Sequence, residues 1–228
     1  MLWRVIIALF LSALMSAQEK SQPPDGPVAQ AKPGAINVNW LYGAYVPKEV
    51  PLETLSAHER RQLYMRQTYL TWGIYFKTAF FAVGDQVAES PPEWGSGIGG
   101  YGKRMASRYG QFAIQNTLSS AGNYLLRYEP RYERCRCSGT WPRIRHAVVR
   151  NFITYNRTET ERRPQLAMYG GAMGAGMIAS TWQPGASRPW VEGYQSMATQ
   201  AAFGSLSNIV GEFAPEITRL LKRKKKKQ

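Results

Sequence analysis

Stretches of helical hydrophobic spacing separated by Gly and Pro breaks run through the chain from residue 56 to residue 221. The first begins at Ser56, where Ser56-Ala57-His58-Glu59 has the spacing of a capping box, and it can continue until Pro91-Pro92. Its second half, Tyr69 to Val83, is apolar on every side except at Lys77. A helix of that kind must be covered all round, by protein or by lipid. Asp85 lies beyond the run and is placed to meet a basic group from elsewhere. A second helix, from about Lys103 to Tyr128, sets Met105, Tyr109, Phe112 and Ala113 against a polar face carrying Arg104, Arg108, Gln111 and Gln115. The third is announced by Thr140 as cap and Pro142 in the first turn, with Ile144, Val148 and Phe152 on one stripe among arginines.

The fourth helix, Gln165 to Trp182, carries no charge and contains Gly170, Gly171, Gly174 and Gly176. Each interior glycine costs ~1 kcal/mol relative to alanine, so close approach of another backbone is the expected compensation. Gly170 and Gly174, with Gly171 beside them, supply a small-residue face of the type used between membrane helices. Leu166 to Trp182 rises ~26 Å, short of the ~30 Å hydrocarbon core, which favours a buried central helix over a spanning one. A fifth helix starts near Pro189 and is expected to bend or split at Pro215. With no alternating strand pattern evident, the fold class is all-α, a compact bundle of about five helices.

The ends of the chain have a different character. Arg4 precedes an apolar run from Val5 to Leu14, and Met15-Ser16-Ala17 ends small before Gln18-Glu19-Lys20. This predicts a signal peptide over 1–17 and an exported protein of the periplasm, cell envelope or extracellular space. Residues 18–51 read as a disordered and then extended leader, 52–221 as the helical domain and 222–228 as a polybasic tail.

The net charge is +14, with six of the cations in the tail at Lys222 to Lys227. Anionic partners follow, and for an exported protein anionic lipid or an envelope polymer comes before nucleic acid. Lys103, Arg104, Arg131, Arg143 and Arg145 are the anion-binding candidates.

Gly97-Ile98-Gly99-Gly100-Tyr101-Gly102-Lys103 satisfies both the G-x-G-x-x-G and the G-x-x-x-x-G-K spacings. Pro91-Pro92 stands where a buried strand should precede it, and Arg104 stands where the P-loop hydroxyl should be. No nucleotide or other cofactor is expected. The remaining readings are a hinge, or a helix start that holds an anion with Lys103 and Arg104.

Cys135 and Cys137 flank Arg136. A bridge between them closes a very small ring, so an ordinary stabilising disulfide is not expected, and intermolecular or labile pairing is the alternative. With His146 they are weak metal candidates, at a spacing that matches no standard zinc pattern. Catalysis has thin support: Asp85, Glu129 and His146 are candidates by residue type alone. A non-catalytic envelope protein is therefore the leading reading, ahead of an exported hydrolase and of a soluble module for acidic polymer.

Gly100-Tyr101-Gly102-Lys103-Arg104, Glu129-Pro130-Arg131-Tyr132, the Trp/Arg-rich helix and the small-residue helix together resemble a family of uncharacterised exported bacterial proteins. The likeness covers roughly Asp85 to Leu220. It implies export and one coherent domain, and no activity. Members of the family typically lack the lysine-rich tail and the cysteine pair.

Overall fold

The computed structural model describes residues 36–39, 43–48, 52–156, 161–186 and 188–225, with 218–225 as backbone only. The expected signal segment, and the leader as far as residue 35, lie outside these. The described residues form a mostly helical bundle of six helices: α1 (Ala57–Met65), α2 (Trp72–Val87), α3 (Ile98–Leu125), α4 (Thr140–Phe152), α5 (Leu166–Ala179) and α6 (Pro189–Lys225). No helix among them is long and apolar enough to cross a membrane.

The capping box forms as its spacing predicts: the Ser56 hydroxyl accepts from the Glu59 amide at 3.3 Å, and the Ser56 amide donates to the Glu59 carboxylate at 2.8 Å. The helix does not run on to Pro91. It widens into a π turn at Arg66–Leu70, and Thr71 is extended, at φ −105° and ψ 125°. Thr71 Oγ1 donates to the Arg66 carbonyl at 2.6 Å, so a side chain takes an acceptor that the continuing helix would use. The chain turns there and α2 begins at Trp72.

The glycine cluster is not a hinge ahead of the second helix but its first turns, because α3 starts at Ile98 with Gly97 at the cap. Gly100 is obligatory: a Cβ there would lie against the Gly95 carbonyl and 2.8 Å from Arg104 Nη1. α4 is capped by Gly139, at φ 89°, one residue before the expected Thr140.

Two small sheets accompany the helices. β1 (Asn37–Asn39) pairs antiparallel with β2 (Gly43–Val46), and β2 pairs parallel with β3 (Tyr132–Glu133); β4 (Ile153–Tyr155) and β5 (Arg162–Pro164) form an antiparallel pair. Strands of two to four residues are too short to show alternation, which is why the sequence pattern misses them. The later part of the expected leader is thus a hairpin fixed to the body, with Ala44 packed against Leu55 and Leu63.

α5 lies between α3 and α6, as its lack of charge predicts, and Ala167, Ala172, Ala175 and Ala179 are buried there. The glycines that let it approach are other than the expected pair. Gly170 faces open space, and Gly174 meets only the end of the Leu118 side chain, at 2.8 Å. Gly171 meets backbone: a Cβ there would be 2.9 Å from Ser119 N and 3.0 Å from Gln115 O. Gly176 meets the Glu192 carbonyl of α6. Five residues separate these two contacts, so they point to different neighbours and bring α3 and α6 onto opposite sides of one helix. α6 runs through Pro215 without splitting, braced where Arg143 Nη2 donates to the Glu212 carbonyl at 2.6 Å. Its helical backbone continues as far as Lys225, into the segment read as a separate tail.

Candidate functional site

α2 has two unlike faces. Gly73, Ile74, Thr78 and Ala82 are buried against the bundle. On the outer side Trp72 is 83% exposed, Phe76 58%, Phe80 63% and Val87 81%, with Val83 between them. These positions recur at intervals of three and four residues, so they form one stripe ~22 Å long. The helix expected to be covered all round is left bare on one side.

The inner side of α2 borders a cavity of about 1010 Å³ whose lining includes Lys77, Phe81, Arg108, Phe112, Thr199 and Phe203. A second space of about 440 Å³ adjoins it and shares Phe81, Arg108, Thr199 and Phe203. Phe81 of α2 and Phe203 of α6 meet edge to face, with centroids 4.6 Å apart. Across α3, Gln111 Nε2 donates to Ser196 Oγ at 2.7 Å and Gln115 Nε2 to Gln200 Oε1 at 2.6 Å. Phe76 and Phe80 belong both to the outer stripe and to the cavity wall, so the two features meet along one edge of α2.

The charges in this region are uneven. Arg108 reaches both oxygens of Asp85 at 2.6 Å, the partner that Asp85 was expected to find. Lys77 has neither ion pair nor hydrogen bond among the described residues, and burial pushes its ammonium below the usual lysine range. Ser119 Oγ and Asn123 Oδ1, on the same cavity, also have no hydrogen-bond partner among the described residues.

Most of the sequence-predicted site residues serve the fold. Arg104 is 1% exposed and donates to the carbonyls of Ser90, Pro91 and Gly95 and to Gln86 Oε1, at 2.7 to 2.9 Å. It clamps the turn between α2 and α3: four of its five N–H donors are spent within the fold, and burial closes the group to an external anion. Arg131 holds both oxygens of buried Glu129, at 2.7 and 3.1 Å. Arg143 pairs with Glu212 and Glu216. Lys103 and Arg145 are exposed, on α3 and α4 respectively. The five candidates therefore do not form one anion site.

His146 donates from Nε2 to the Glu133 carbonyl at 2.8 Å, and burial, reinforced by the Arg150 charge, holds its imidazole below the ordinary range. Asp85, Glu129 and His146 each have their own internal partner, and none of them lines the larger cavity.

Cys135 and Cys137 form a disulfide, contrary to expectation. Their Cα atoms lie 5.2 Å apart, closer than the ~6.6 Å or more of an extended chain, so the backbone bends at Arg136 and brings the pair within the span that a bridge tolerates. The pair is thus not present as thiolates for a metal, and no cluster of metal-ligating side chains occurs among the described residues.

The buried Glu212 escaped the sequence reading altogether. It accepts from Tyr132 Oη at 2.9 Å, Cys135 N at 3.0 Å and Arg143 Nε at 3.1 Å. Its only sequence signal is a lone carboxylate in the apolar stretch Ile209 to Pro215.

No protein-family model, curated protein or solved structure matches this chain.

Proposed function

We propose that this is an exported, non-catalytic helical protein of the cell envelope that docks on an anionic membrane surface through the outer face of α2. The observation that carries the reading is the exposed stripe of Trp72, Phe76, Phe80, Val83 and Val87 on a single helix face. Burying a large apolar side chain gains ~1.5–3 kcal/mol, so a few of these rings inserted at a lipid interface suffice for reversible association. A contiguous apolar face of this kind marks an interaction surface in a water-exposed protein. The net charge of +14 adds attraction to anionic headgroups. The non-catalytic side of the reading is supported by the internal engagement of Asp85, Glu129 and His146.

Co-sedimentation of the mature protein with phosphatidylglycerol-containing vesicles tests the proposal. The variant Leu70→Ser/Trp72→Ser/Val87→Ser alters exposed residues only and should keep its helicity while losing roughly tenfold in vesicle affinity. Unchanged binding of this variant would remove α2 as the docking face.

A further inference from the structure

The cavity behind α2 combines three properties that the docking surface does not explain. It is large: about 1010 Å³, at the upper end of the range of small-molecule sites. It is walled by the rings of Phe81, Phe112 and Phe203. It also holds, on its α2 wall, the Lys77 ammonium, which has no ion pair or hydrogen bond among the described residues, whereas Arg108 is neutralised by Asp85. Among the described residues Glu192 is the only carboxylate residue in its lining, and it already has an interaction of its own.

We infer that this cavity binds a single-chain amphiphile with an anionic head, the head against the Lys77 ammonium and the chain along Phe81, Phe112 and Phe203. A half-buried ammonium without a counter-charge is unfavourable in an apolar cleft, and an anion brought in by a ligand offsets that penalty. The chain in turn removes aromatic surface from water. Arg108 does not serve as the head-group partner, since both of its carboxylate-facing nitrogens are spent on Asp85. Phe76 and Phe80 line the cavity and also belong to the docking stripe, so the site opens beside the surface proposed to meet lipid. The inference rests on that reading only for the source of the ligand.

Calorimetric titration of the mature protein with sodium laurate, dodecyl phosphate, dodecanol and inorganic phosphate, without vesicles, tests the site. Laurate and dodecyl phosphate should each bind at one molar equivalent, with dodecanol and inorganic phosphate at least roughly tenfold weaker. Lys77→Met should lose roughly tenfold for laurate, while Lys77→Arg keeps most of the affinity. Dodecanol binding as tightly as laurate to the wild-type protein overturns the inference, a result that needs no variant to fold. Equal laurate affinity in a folded Lys77→Met protein overturns it as well.

The vesicle-docking variant separates the two ideas, because Leu70, Trp72 and Val87 do not line the cavity. If it binds free laurate but not vesicles, both readings hold. If the wild-type protein binds vesicles but not laurate, only the cavity assignment falls. Laurate uptake from vesicles that slows in this variant identifies the membrane as the source, and equal uptake identifies the free amphiphile. No uptake by either route ends the inference.

Discussion

The carboxylate of Glu212 on α6 lies 3.1 Å from Nε of Arg143 on α4, fully shielded from solvent. Tyr132 and the Cys135 amide donate to its other oxygen, at 2.9 and 3.0 Å. Burial, followed by the Glu212 charge, pushes the Tyr132 phenol well up, so it stays a donor throughout the working range of pH. One carboxylate thus ties together β3, the disulfide segment, α4 and α6.

Removing that carboxylate leaves a guanidinium largely buried beside a phenol with no acceptor. Glu212→Ala should cost ~3–5 kcal/mol of stability. Glu216→Ala breaks the exposed half of the same Arg143 cluster and should cost ~1 kcal/mol or less. Denaturant midpoints of the two variants check the order; equal losses would show that burial does not set the strength of these pairs.

The α5 contacts rank the glycines. Gly171→Ala forces a methyl onto the backbone of Ser119 and Gln115, and the overpacking of ~1–3 kcal/mol should outweigh the gain in helix propensity. Gly170→Ala meets nothing and should stabilise by up to ~1 kcal/mol. Gly174→Ala presses only on the Leu118 methyl, which has freedom to move, and should fall between them. Thermal midpoints in any other order would contradict this packing.

Arg104→Met takes the donor from the carbonyls of Ser90, Pro91 and Gly95, at ~1–3 kcal/mol for each one left unsatisfied. The turn between α2 and α3 should open. Limited proteolysis should show new cleavage within residues 88–97, and an unchanged digestion pattern would mean that the clamp is dispensable.

His146 sets a pH dependence. Its folded pKa lies below the ordinary 6.5, so the unfolded chain takes up a proton more readily than the native one. Its contribution is therefore fully favourable above about pH 6.5 and is lost as the pH falls through the lower folded value. The thermal midpoint should drop between about pH 7 and about pH 5, and His146→Gln should show a shallower drop over the same range. Parallel curves for the two proteins would rule out His146 as the source.

Local pattern determined a good deal. The Ser56–Glu59 capping box needs only residues three apart, and the charge-free run from Leu166 to Ala179 can satisfy its apolar surface only inside a bundle. The all-α class and the central place of α5 follow from these. Lys77 was visible as the lone charge in an apolar run, although the cavity that it lines was not.

Tertiary structure decided what depends on which element lies opposite which. Gly170 and Gly171 are adjacent in sequence, yet a helical step of ~100° sends one to open space and the other onto α3. Arg104 reads as a free cation until the turn folds its carbonyls over it. Cys135 and Cys137 do not read as an ordinary disulfide until the backbone bends and sets their Cα atoms 5.2 Å apart. Trp72, Phe76 and Phe80 read as covered, by protein or by lipid, because composition records that a residue is apolar and not whether a neighbour arrives to cover it. Hydrophobic periodicity fixes which residues share a face; only the packing of distant segments fixes whether that face is buried, and the bare side of α2 is where the two part.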